Sequence, residues 1–111
     1  MRFAIAACGL TKLLSPHEPA QTVRRQLAKS STSVASNYRA ACRARSHAEF
    51  TARISIVAEE ADESLFWLEF IERTQLIASA HLADLQHEAR ELTAIFSAAV
   101  GTARRRQRAI D

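Results

Sequence analysis

Ser46-His47-Ala48-Glu49, followed by Phe50, Ile54, Val57, Ala61, Leu65, Leu68 and Ile71, decides the fold of this chain. The first four residues spell a capping box, in which the serine hydroxyl accepts from the amide three residues on and the glutamate reaches back. The seven apolar residues then recur at spacings of four and three, the seam of a helix packed in a bundle. Together they predict a helix over about 47–74. A second stripe of that helix carries Ile56, Glu60, Glu63, Trp67 and Phe70, so one of its faces is apolar and another mixed.

Upstream, Val23, Leu27, Ser30/Ser31, Val34, Tyr38 and Ala41/Cys42 mark the buried stripe of a helix predicted over about 20–43. Its interior, Ser30 to Ala41, is almost entirely small and hydroxyl side chains. Serine is a weak helix former, so packing has to hold this helix, and its narrow surface lets a neighbour approach closely. Ser15-Pro16-His17-Glu18-Pro19 breaks the pattern before it. Ahead of that break, a short helix over about 2–14 puts Phe3, Ala6, Ala7, Leu10, Leu13 and Leu14 on one face. Downstream, a connection near Gln75–Ala80 leads into a helix over about 80–103. Its seam is Leu82, Leu85, Ala89, Leu92, Phe96, Ala99 and Ala103, with Ile95 beside it. The basic tail 104–111 extends this helix or frays. Four amphipathic helices with short connections imply an all-α, antiparallel up-down four-helix bundle spanning 1–103 as a single domain.

Composition agrees with that class. Gly and Pro number two each in 111 residues, too few for the turns of an all-β fold. No apolar run approaches the roughly 18 residues that a membrane helix needs. Ile5-Ala6-Ala7-Cys8 has the look of a lipoprotein cleavage box, but the four residues before it hold neither a charged region nor an apolar core, so the expected location is cytoplasmic. Cys8 and Cys42 belong to no CxxC pair and read as two reduced, half-buried thiols. Charge is segregated: residues 1–48 carry net +7, residues 49–103 net −7 and the tail net +3. Opposite charges in one small domain attract, so much of this charge is expected to be spent internally or between subunits.

No stretch carries the signature of an enzyme. There is no GxSxG elbow, no phosphate-cradling glycine loop and no HExxH, and neither a catalytic residue nor a cofactor is expected. Glu59, Glu60, Asp62 and Glu63 form the densest acidic cluster. Di-iron bundles use inward carboxylates, but with a Glu-x-x-His pair on each of two helices, which this chain lacks. Pairing of these acids with Arg39, Arg43 or Arg53 on neighbouring helices or subunits is the expectation, and no metal site is assigned. His17, His47, His81 and His87 read as solvated or capping side chains.

Arg25-Gln26-Leu27, Ser31-Thr32-Ser33-Val34, Ser36-Asn37-Tyr38-Arg39-Ala40-Ala41, Glu49-Phe50, Ile54, Glu59-Glu60-Ala61-Asp62-Glu63 and Trp67-Leu68 together resemble the ribosomal-intervening-sequence, or S23, family of four-helix bundle proteins. The resemblance covers about residues 20–100. It implies a left-handed up-down bundle assembling as a homopentamer, and little about activity, because the family has no established enzymatic function. A similar protein is the accessory subunit of diversity-generating retroelements, a basic pentameric barrel that engages nucleic acid and a reverse transcriptase. The chain departs from the family at its start, where the first helix looks about ten residues short.

Two functions follow as expectations. One is a homo-oligomeric assembly or adaptor module whose subunits meet through Tyr38, Glu60, Glu63, Trp67 and Phe70, with Trp67 as anchor. The other is an accessory protein that binds nucleic acid, or works with a nucleic-acid-processing partner. In that reading Arg39, Arg43, Arg45, Arg104, Arg105, Arg106 and Arg108 neutralise phosphates without reading sequence.

Overall fold

The computed structural model of the chain describes residues 1–78 and 80–111. They form four helices and no strand: α1 (Arg2–Thr11), α2 (Ala20–Cys42), α3 (His47–Thr74) and α4 (Ala80–Ile110). Ser79, inside the connection expected near 75–80, lies outside the described residues. Each helix packs on the next, and α1 closes on α4. Between α2 and α3, Ser30 meets Ser64 and Asn37 meets Arg53. Between α3 and α4, Leu68 meets Gln86 and His47 meets Ala103. Rising numbers on one helix meet falling numbers on the next, so these neighbours are antiparallel.

The ends of α3 explain its extent. Ser46 Oγ accepts from the Glu49 amide at 3.0 Å, as a capping box requires. The Glu49 carboxylate reaches one residue further back than the motif prescribes and accepts from the Arg45 amide at 3.1 Å. At the other end Gln75 takes the left-handed conformation, φ 56°. The Leu76 amide then bonds the Ile71 carbonyl and the Gln75 amide bonds the Glu72 carbonyl, a complete Schellman closure. Leu76 packs against the core as that closure brings it round.

The first helix is shorter than its apolar pattern suggests. After Thr11 the amides of Lys12, Leu13 and Leu14 bond carbonyls three residues back, a tightened turn ahead of Pro16. Leu14 stays buried and Leu13 turns outward. The buried face is therefore Phe3, Ala4, Ala7, Leu10, Thr11 and Leu14. Ala6 and Leu13, expected on it, instead line a shallow groove against α4.

Two hydrophobic clusters share the interior. One draws Phe3, Ala7, Leu10 and Leu14 from α1 and its following turn, Val23 and Leu27 from α2, Leu68 and Ile71 from α3, and Leu82, Leu85 and Ala89 from α4. The other has no α1 residue; it holds Val34, Ala41, Ile54, Val57, Ala61, Val100 and Ala103. Between them lie the fully buried hydroxyls of Ser30, Ser31 and Ser64. The Ser30 and Ser64 oxygens are 2.8 Å apart, and Ser64 Oγ is 2.9 Å from the Glu60 carbonyl.

Tyr38 and Cys42 correct the expected α2 stripe, since both are exposed, Tyr38 at 48%. Ten residues of helix span about 15 Å, while α2 runs about 35 Å. Met1, where the described chain begins, lines the same groove as Ala35, Ser36 and Arg39, so α1 does not cover α2 beyond that point. Tyr38 tilts against Phe96 of α4 instead, ring centroids 5.6 Å apart.

Candidate functional site

The outer face of α3 is built from residues pointing away from its own seam. Phe66 lies roughly opposite the buried Ala61, Ser64 and Leu68 on the helix and is 54% exposed. Its ring meets Trp67 edge-on at 4.8 Å, and Trp67 meets Phe70 at 5.8 Å, also edge-on. Such edge-to-face contacts hold the three rings as one unit. Trp67 and Phe70 also pack partly against the core, so the ring that faces solvent is Phe66. Sequence reasoning passed over Phe66. The signal was present, since residue 66 falls about half a turn from the seam.

Two polar atoms of this region are buried without a hydrogen-bond partner: Glu60 Oε2 and Trp67 Nε1. A buried polar group left unpaired costs about 1–3 kcal/mol, so such atoms call for an explanation. Burial, and then the neighbouring Glu63, push the Glu60 carboxyl above its ordinary range; Lys29 on α2 pulls it back and Glu59 adds to the rise. Asp62 and Glu63 stay exposed beside Phe66.

Among the described residues the acids of this cluster form no pair with Arg39, Arg43 or Arg53. Arg53 donates to the Asn37 side chain at 3.3 Å. Among the described residues the single Lys/Arg ion pair is Arg90–Glu69, at 3.9 Å and largely solvated, an arrangement worth little. Arg39, Arg43, Arg45, Arg104, Arg105, Arg106 and Arg108 are all exposed. Helix α4 continues through the last four of these to Ile110, so residues 104–110 are helical. Arg105 donates to the Thr102 hydroxyl at 3.3 Å.

The interface candidates do not form one patch. Glu60, Glu63, Trp67 and Phe70 share α3, whereas Tyr38 sits near the far end of α2 beside Phe96. Cys42, one turn on, raises the Tyr38 hydroxyl above its usual pKa by hydrogen bonding and by charge, with burial adding to it. Cys8 is half-buried and both thiols are free.

The histidines divide. His47 Nε2 donates to the Ala103 carbonyl at 2.8 Å, tying the start of α3 to α4. His87 pairs with Glu91 one turn on, at 2.7 Å. Among the described residues no three His, Cys, Asp or Glu side chains converge as metal ligands would. Nor is any described helix long and apolar enough to cross a membrane.

Comparison with curated proteins finds no match. Among solved structures, the bundle is similar to the crystal structure of a protein of unknown function from the S23 ribosomal protein family of Bacteroides thetaiotaomicron VPI-5482. The two share 27% identity and superpose with a TM-score of 0.79, over 89% of this chain and 92% of the other. The family described as 23S rRNA-intervening sequence protein matches residues 1–98. Because that match takes in all of α1 to α3 and most of α4, the chain belongs to the 23S rRNA-intervening sequence protein family.

Proposed function

We propose that this chain is a non-enzymatic, cytoplasmic assembly or adaptor module that associates with copies of itself through the outer face of α3. The observation that carries this reading is the aromatic trio Phe66, Trp67 and Phe70 on an acidic face, beside two buried polar atoms with no partner in the isolated chain. Exposed aromatics of this kind are the usual anchors of protein interfaces. The family resemblance is what supports a pentamer as the assembled state. Light scattering tests the reading: Trp67→Ala and Phe66→Ala should each shift the particle toward a monomer of 12.3 kDa. Unchanged mass in both variants, with helix content retained, removes α3 from the interface.

A second reading, nucleic-acid binding, is supported by the arginine-bearing end of α4. Arg104 and Arg108 lie one turn apart on a helix, and neither has a carboxylate partner among the described residues. A relationship to the retroelement accessory subunit, the resemblance drawn from the sequence, would belong with this reading, and a reverse transcriptase or related enzyme would be its partner. Phosphate contacts predict salt-sensitive binding. In a mobility-shift titration, deletion of 104–111 should weaken binding to an RNA duplex; identical affinity with and without those residues removes the tail from the mechanism.

A further inference from the structure

Among the apolar surfaces left uncovered by the described residues are two that belong to α1 and α3, helices whose backbones do not adjoin. In a four-helix arrangement this places them on opposite sides. The first is a shallow groove of about 610 Å³ between α1 and α2. Its walls are Ala4, Ile5, Cys8, Gly9, Thr32 and Ala35, with Lys12 and Arg39 on the rim. Ile5 is 64% exposed. A glycine inside a helix is unfavourable relative to alanine, and nothing in the molecule crowds this one: a Cβ added at Gly9 would meet no atom within 4 Å. The groove is therefore open directly above Gly9. The second surface is the Phe66 knob of α3, with Asp62 and Glu63 at its base.

Charge matches the two surfaces to each other. Residues 1–43 carry seven Lys/Arg against one acid, and α3 carries seven acids against two Arg. Almost none of that opposite charge is neutralised inside the chain, where Arg90–Glu69 is the single Lys/Arg pair among the described residues. A groove lined by small residues with a basic rim and an aromatic knob with an acidic base are complementary in shape and in sign.

We infer that the occupant of the α1/α2 groove is a second copy of this chain, whose Phe66 enters above Gly9 while its Asp62 and Glu63 meet Lys12 and Arg39. The inference rests on the self-association proposed above and deepens it by naming the surface that receives α3. Because the two faces differ and lie on opposite sides, the contact is head-to-tail; repeated, it closes a ring or extends a chain according to the rotation per step.

Two variants and their mixture test this by size-exclusion chromatography with light scattering. Ile5→Asp and Phe66→Asp should each weaken assembly at least ten-fold. Their equimolar mixture should form a one-to-one pair that grows no further, because each supplies the face the other lacks. Gly9→Leu puts a branched side chain into the open space at the groove's edge and should reproduce the Ile5→Asp result with helix content unchanged by circular dichroism, which covers the case of an aspartate that unfolds α1. Mixed variants that stay apart overturn the pairing. So does a Gly9→Leu protein with the mass of the parent; if Phe66→Asp dissociates in that case, self-association through α3 stands and only docking in the groove falls. A parent protein that is itself monomeric overturns both readings.

Discussion

The two ends of the bundle solve the same packing problem with different side chains. Where α1 is present, the interior is built from Phe3, Leu10, Leu14, Leu27, Leu68, Ile71 and Leu85. Where α1 is absent, α2, α3 and α4 close on one another through Val34, Ala41, Ala61, Val100 and Ala103, with Ile54 and Val57 the larger members. Four helices surround a wide space that long side chains fill; three helices leave a narrow one that suits alanine and valine. The same three helices run through both regions. Core composition here follows how many helices surround a position, and the edge of the narrow region is where Tyr38 and Ile95 reach solvent.

Paired truncations can break this comparison. Ile71 and Ile54 are chemically identical and nearly fully buried, one at each end. Ile71→Ala should cost about 4 kcal/mol and Ile54→Ala about 2–3 kcal/mol, because the three-helix end has fewer walls to hold a cavity open. Urea unfolding measures both, and equal losses would mean that the two ends are packed alike. A smaller effect sharpens the closure of the three-helix end. His47→Ala removes the bond to the Ala103 carbonyl and should cost about 1 kcal/mol. Amide exchange should then rise over residues 104–110 while the α1 end keeps its protection. The smallest effect has the opposite sign. Gln75 closes the four-helix end at φ 56°, a conformation that glycine adopts without strain, so Gln75→Gly should raise stability by about 0.5 kcal/mol. A loss on that substitution would show that the glutamine side chain supports the closure.

The capping box, the α3 seam and the proline break were legible because each is a local pattern with a local cause. The all-α class and the α2, α3 and α4 cores follow from them. Tyr38 was misplaced because helical periodicity reports the direction of a side chain and not whether a neighbouring helix is there to cover it. Leu13 departs from the pattern because the tightened turn after Thr11 changes its phase, whereas Ala6, in the regular part of α1, lies at the edge of the helix's buried face beside the groove against α4. Opposite sign in the sequence is compatible with pairing of the α3 acids to Arg39, Arg43 and Arg53 within a subunit or between subunits; within the described residues Arg53 finds Asn37 and Arg39 and Arg43 point to solvent. Phe66 is not legible from the seam, because a residue half a turn away from it belongs to the face that periodicity assigns to solvent.

The serine layer at Ser30, Ser31 and Ser64 has an axial consequence. Sliding α2 past α3 by one helical turn, about 5.4 Å, would set Ser30 against Ala61 or Leu68 and separate the paired hydroxyls. The hydroxyls thus act as an index mark, allowing one longitudinal alignment of the helices and rejecting the turns above and below it. Through that alignment they also decide which part of α2 lies beside α1, and so where Arg39 stands relative to Ile5.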